Sequence, residues 1–313
     1  MDFFSHKTQI DFMAQRKWAA LLSCTMFLVA MIALAIHGLN WGLDFTGGTQ
    51  IQLNFPQAAD VSKVRETLEK NGFPEAVVMS YGTSKEVLVS LVPQKGAQAV
   101  AEDDKARTDI VNHIVQVLPD AKVAQVSFIG PQVGKEMAGK AIMAIVIALL
   151  GTMIYIAFRF DLRFAVGSTI ALVHDPIIIL GIFSFMHIEF NLITLAAVLT
   201  VIGYSLNDTI VIFDRVRENF RKLRKATSLE VMNQAINQTL SRTLMTSALT
   251  LTVVLALFFL GGSLLHGFSL ALIIGIIVGT YSSIYVAGSL AITLGLSRQH
   301  LVPPAKELLD DRP

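Results

Sequence analysis

Residues 141–158 read AIMAIVIALLGTMIYIAF, a run without a single charged side chain. A helix that crosses the hydrocarbon core of a bilayer needs about 20 mostly apolar residues, and this run has that length and character. Working outward, five more runs match it. Trp18 to Ile36, Thr243 to Gly262 and Gly267 to Ser297 carry no charge. Phe164 to Met186 carries His174 and Asp175, and Phe190 to Phe213 carries one acid, Asp208. The last run is long enough to tilt or kink. The whole chain agrees: of 313 residues, 53% are hydrophobic and 16% charged, and the mean hydropathy is +0.58. A soluble domain of this size needs more charge to cover its surface. One cysteine, Cys24, excludes an intrachain disulfide framework and a cysteine metal site, and reads as an apolar filler.

Ala33-Leu34-Ala35 resembles a signal cleavage site. The apolar run before it is longer than the core of a secretory signal, and a polar segment precedes it, so it reads as an uncleaved first helix. Orientation follows from Lys and Arg. With the N-terminus inside, the inside segments hold Lys7, Arg16 and Lys17, then Arg159 and Arg163, then the run Arg215, Arg217, Arg221, Lys222, Arg224 and Lys225, and finally Arg298, Lys306 and Arg312. The short outside loops at 187–191 and 261–266 hold none. Both termini are therefore expected in the cytoplasm.

The long segment between the first two spans is expected outside. Thr49 to Phe55 alternates like a strand, with Ile51, Leu53 and Phe55 on one face. Asp60 caps a helix carrying Val61, Val64 and Leu68, which Asn71-Gly72 stops. Ala76 to Tyr81 and Glu86 to Val92 read as strands joined by Gly82-Thr83-Ser84-Lys85. A second helix is expected from about Asp103 to Leu118, with Ile110, Ile114 and Val117 on one side, and a last strand from Lys122 to Ile129. The order β-α-β-β-α-β is the ferredoxin-like arrangement, which by itself identifies no function. No metal cluster or phosphate loop is visible in it, and docking or substrate contact is expected rather than catalysis.

The fold class is thus a polytopic α-helical membrane protein of six spans with an α+β ferredoxin-like domain outside. The expected organisation is a cytoplasmic N-terminus (1–17), a first span (18–37), the outside domain (38–136), and the remaining spans within 137–297. Those spans lie at about 138–158, 164–186, 190–213, 241–262 and 267–297, with a cytoplasmic amphipathic linker at 214–240 and a cytoplasmic tail at 298–313. Thr227-Ser228-Leu229-Glu230 fits a capping box, and Leu229, Met232, Ile236 and Leu240 then repeat at helical spacing. The linker helix is expected to lie along the membrane interface, its basic run serving topology or contacting acidic lipid headgroups or a partner.

An ionisable residue inside a span is a functional hypothesis by default. Asp208 lies about 9 Å inside Asp214 along a helix rising 1.5 Å per residue. A carboxyl kept from water favours its neutral form, which suits a group that takes up and releases a proton; the other reading is a carboxyl locked to a partner. Arg242 opens the fifth span at a similar depth. It reads as a positive-inside boundary or as a partner that holds Asp208 ionised. His174 and Asp175 precede Pro176, which can kink the helix. Neighbours point about 100° apart on a helix, so they are not expected to form one site without a partner. A polar relay, Asn207 included, and a packed polar pair at a kink both stay open.

Several stretches together resemble the SecF family, subunits of the bacterial Sec accessory complex. They are Trp41-Gly42-Leu43-Asp44-Phe45-Thr46-Gly47-Gly48-Thr49, Val201 through Val211 with Gly203-Tyr204-Ser205-Leu206-Asn207-Asp208, and Asp214 through Arg221. His174-Asp175, Ser241-Arg242-Thr243-Leu244 and Gly267-Phe268-Ser269 match in order and place. Asp44, Gly47 and Gly48 belong to the signature after the first span. The resemblance implies an RND-type half-transporter in the bacterial inner membrane that needs SecD as its other half. It implies use of the proton-motive force, with protons as coupling ion and no cofactor, to help preproteins through SecYEG, with YajC and YidC as further partners. Contact with lipid is implied and contact with nucleic acid is not. Asp208 and Arg242 are then the proton-coupling residues. Two other readings compete: a proton-coupled exporter of small molecules or lipids, and a passive assembly scaffold. An enzyme is disfavoured, because no nucleophile-base set or nucleotide loop is visible.

Overall fold

The computed structural model describes residues 9–74, 76–81, 83–91 and 104–297. Lys7, Gly82, Val92, Asp103 and the 298–313 tail with Arg298, Lys306 and Arg312 lie outside the described residues. The elements run α1 (Arg16–His37), α2 (Leu43–Thr46), β1 (Gly48–Asn54), α3 (Val61–Lys70), β2 (Val77–Tyr81), β3 (Thr83–Leu91), α4 (Asp104–Val117) and β4 (Lys122–Ile129). They continue as α5 (Pro131–Arg159), α6 (Leu162–Phe185), α7 (Leu192–Lys222), α8 (Ser228–Leu260), α9 (Gly262–Ser282), a π-helical turn (Ser283–Ala287) and α10 (Gly288–Thr293).

Six helical segments are long and apolar enough to cross a membrane. They sort into two groups. In α6, α7 and the α9–α10 segment, 61%, 50% and 56% of the most apolar window is buried within the chain; in α1, α5 and α8 the share is 22%, 11% and 17%. Three inner helices thus carry the packing and three outer ones face away. Close approach is set by small residues, as is usual between apolar helices where no water is expelled. Gly181 of α6 lies against Ala30 of α1, and Gly275 of α9 against Val201 of α7, with no room for a Cβ at either glycine.

The α/β segment between the first two spans forms a four-stranded sheet in the order β2-β3-β1-β4, every pair antiparallel. Ile51, Leu53, Val87 and Val89 of the sheet meet Val64 and Leu68 of α3 and Ile114 of α4 in one buried core. Asp60 caps α3, its Oδ1 accepting the Ser62 and Lys63 N–H groups. Strand β3 starts at Thr83, so the link from β2 is tighter than the expected 82–85 turn.

One expectation needs correction. The linker and fifth span are not an interfacial helix followed by a separate span. The first part of the linker continues α7 to Lys222, as its basic run suggested, and the rest joins the fifth span in one unbroken helix, α8, closed at its start by the Thr227–Glu230 capping box. No Pro or Gly interrupts Ser228–Leu260, and the stripe Met232, Ile236 and Leu240 is buried in the same core as Phe213 and Val216 of α7. Its amphipathic face therefore packs on protein. The sixth span, long enough to tilt or kink, breaks its helical period at the π-helical turn.

Candidate functional site

The fourth span, α7, presents polar side chains on two faces. Residues three and four apart share a face of a helix. Tyr204 and Asp208 occupy one. The Tyr204 hydroxyl donates to Ser247 of α8 at 3.2 Å, and Ser247 in turn lies 2.8 Å from Thr280 of α9. Asp208 is 3% exposed, and its Oδ2 has no hydrogen-bond partner among the described residues. The buried Thr243 hydroxyl of α8 is likewise unpartnered among them. Arg242 is exposed on the chain surface and within electrostatic reach of Asp208, but the two form no ion pair within 4.0 Å among the described residues. Asp208 therefore feels a positive charge without being locked to it.

The second face carries Ser205 and Thr209. Ser205 donates to Asp175 Oδ2 of α6 at 2.7 Å, and Ser282 of α9 donates to the same oxygen at 2.8 Å. The His174 Nδ1 lies 3.0 Å from Asp175 Oδ1. The two neighbours meet directly, and the site they form has the further partners expected of it, Ser205 and Ser282. The α-helical offset separates their Cβ vectors, but the ring Nδ1 lies near the backbone and the carboxylate swings back to it. Thr209 and Ser283 share a hydrogen bond at 3.2 Å, and both also reach the Ser205 carbonyl. The π-helical turn begins at Ser283, and both Ser282 and Ser283 are buried inward. Such turns recur at functional sites. The sequence reading missed Ser205, Ser282 and Ser283 as site members. Their only signal was hydroxyls inside otherwise apolar runs.

Asn207 joins neither cluster. It is exposed, in line with Ala196, Thr200 and Gly203 at helical spacing, all exposed as well. The polar relay therefore does not run through Asn207 within this chain.

At the α2 end, the 41–49 segment is a joint. Gly42 N–H donates to the Phe190 carbonyl and Phe190 N–H to the Asn40 carbonyl, both at 2.8 Å. Asp44 Oδ2 accepts the Leu192 N–H at 2.9 Å, at the first residue of α7. The rings of Trp41, Phe45 and Phe190 pack together. Gly47 and Gly48 have φ of +71° and +133°, which side chains with a Cβ rarely adopt. A Cβ at Gly47 would meet Pro131 of α5, and one at Gly48 the Leu91 carbonyl of β3. The pair of glycines lets sheet, α5 and α7 converge. Burial, reinforced by the nearby Asp44 charge, pushes the Glu189 carboxyl above the usual range. Among the described residues no group of three or more His, Cys, Asp or Glu side chains is placed to hold a metal.

Comparison with known proteins gives these features a family. The sequence model described as protein export membrane protein SecD/SecF, C-terminal, matches residues 109–297, and that of the SecD/SecF GG motif matches residues 32–59. The protein translocase subunit SecF of Vibrio alginolyticus is 46% identical, over 95% of this chain and 94% of its own. That of Pseudomonas aeruginosa is 45% identical, over 97% and 98%. Among solved structures, SecDF from Thermus thermophilus, titled a translocon-associated membrane protein, superposes with a TM-score of 0.82 at 38% identity. The match covers 93% of this chain but 39% of that one. SecDF in a super-membrane-facing form gives a TM-score of 0.70. The chain belongs to the SecD/SecF family of protein-export membrane proteins, in its SecF branch.

Proposed function

We propose that this chain is a Sec-pathway subunit that, paired with SecD, converts the proton-motive force into movement of preproteins through SecYEG. The observation that carries the reading is Asp208: a buried carboxyl on an inner span, with an unpartnered oxygen and a cation near but not in contact. A locked structural carboxyl would have its donors. An unlocked one can exchange a proton and change its attraction to Arg242 when it does. The relatives are named as translocase subunits, so the work is transport and not enzymatic catalysis. Protons are the coupling ion, and no cofactor is called for.

The cycle follows from charge. A proton reaching Asp208 neutralises it and weakens its hold on Arg242. The helices then repack between two discrete arrangements. Asp44, bonded to the first residue of α7, passes that displacement to the joint and the sheet domain. Each charge crossing the membrane supplies about 2.3 kcal/mol per 100 mV, enough to bias such a two-state element.

SecD supplies the other half. The exposed line Ala196, Thr200, Gly203 and Asn207 sits within an apolar span, where a bare Asn facing lipid is costly and a partner helix is the cheaper neighbour. The SecDF structure is a longer chain of which this one matches 39%, consistent with a second half. The protein is then placed in the bacterial inner membrane with both termini cytoplasmic and the sheet domain periplasmic, working beside SecYEG, YajC and YidC. The test is preprotein export into inverted vesicles containing this chain, SecD and SecYEG. Asp208→Asn is expected to lose the gradient-dependent completion of export and keep the ATP-driven start. Retention of the gradient-dependent part in an assembled mutant would overturn the reading.

A further inference from the structure

The Asp175 cluster is separate from the Asp208 face. Asp175 is 0% exposed and His174 5%, so both sit where a charge is expensive. Asp175 receives three contacts, from Ser205, Ser282 and the His174 ring. Two of these are serine hydroxyls donating to one oxygen, bonds that a carboxylate accepts. With Asp175 ionised and accepting only, His174 Nδ1 carries the hydrogen between them. The described residues offer this carboxylate no Lys or Arg partner within 4.0 Å; His174 is the cationisable group in contact with it. The other ring nitrogen, Nε2, is buried and has no partner among the described residues. The ring lies parallel to Phe27 of α1, centroids 6.4 Å apart. A neutral His174 leaves a net negative charge in the membrane and a bare Nε2 lone pair. An imidazolium cancels that charge.

We infer that His174 Nε2 is a second proton-accepting atom of the transport cycle, with Asp175 as its fixed counter-ion. This rests on the proton-coupling reading above. The step forms one N–H bond at Nε2; the proton comes from the gradient and leaves to the opposite side. Its effect is mechanical as well as electrical. Asp175 is hydrogen-bonded to α7 through Ser205 and to α9 through Ser282, immediately before the π-helical turn. The helices are close there, since a Cβ on Gly279 would stand 3.1 Å from the Ser205 Cβ. A change in the charge beside Asp175 therefore alters the pull on two inner helices, one of which carries Asp208. Asp175 on its own helix and Phe27 of α1 lie against His174, and the hydroxyls of Ser205 from α7 and Ser282 from α9 meet Asp175. Tyr281 of α9 is engaged elsewhere, its hydroxyl with Ser23 and the Ala19 carbonyl of α1.

The test is nitrogen NMR of histidine-labelled full-length chain, co-assembled with SecD in nanodiscs. The chain has seven histidines, and His174→Gln assigns the signal by removing it. The expected result is a His174 Nε2 that gains and loses a proton reversibly as pH is stepped across neutrality, with Asp175→Asn abolishing that change. In the vesicle assay, His174→Gln is expected to lose most gradient-dependent export while assembling with SecD and keeping the ATP-driven start. A ring that holds one protonation state across those steps in wild type overturns the inference. So does full gradient-dependent export in His174→Gln when Asp208→Asn has lost it. If Asp208→Asn keeps that step, the proton-coupling reading falls instead, and the NMR titration still decides whether His174 binds a proton.

Discussion

Two carboxyls occupy the interior of this helix bundle, and they are treated in opposite ways. Asp175 has hydrogen-bond partners on α6, α7 and α9. Asp208, one helix face away, has a bare Oδ2 and an arginine that does not touch it. Both are buried. Burial alone therefore does not tell a structural carboxyl from a working one; the donor set does. A carboxylate supplied with donors is held in one charge state and holds the helices around it. A carboxyl left without them can change state at little structural cost.

The comparison breaks first at Asp208. Asp208→Asn is expected to abolish gradient-dependent export and to leave unfolding stability within about 0.5 kcal/mol of wild type, since it removes no hydrogen bond shown here. Asp175→Ala is expected to do the reverse in stability. Removing its three hydrogen bonds, two of them between helices, at about 0.6 kcal/mol each should cost about 2 kcal/mol, read by denaturant unfolding in mixed micelles. Equal stability losses in the two variants would erase the distinction.

At the joint, Gly48→Ala is expected to cost about 1–3 kcal/mol, from a φ of +133° and a clash with the Leu91 carbonyl. Limited proteolysis of the sheet domain would show it, with the spans still assembled. The smallest effect concerns Glu189. Its carboxyl is raised in the folded state, so the folded protein binds the proton more tightly than the unfolded chain. Stability is then highest below the ordinary carboxylate range near 4.5 and falls as pH rises through the raised value. Glu189→Gln should flatten that fall, seen as a melting temperature that changes less between about pH 4 and 7 than in wild type.

Much of this was legible from local pattern. The six apolar runs, the strand alternation at 49–55, the Asp60 cap and the Thr227–Glu230 capping box all depend on neighbours in sequence, and all appear in the structure. What was not legible depends on neighbours in space. Nothing local says that the stripe Met232, Ile236 and Leu240 meets α7 and not a lipid surface, because both would want the same apolar face. Asp175 and Asp208 looked alike as lone acids in apolar runs. Only the approach of Ser205 and Ser282 from two other helices separates them. The π-helical turn, which has no Pro or Gly within Ser283–Ala287, left no mark in the sequence.

The most direct test is infrared difference spectroscopy of the complex with SecD in membranes, following the protonated-carboxyl stretch as pH is stepped across neutrality. The expected result is a band that appears as pH falls, is absent in Asp208→Asn and persists in Glu189→Gln. A spectrum in which Asp208→Asn keeps every such band would mean that Asp208 never changes its proton, and the proposed coupling would be wrong.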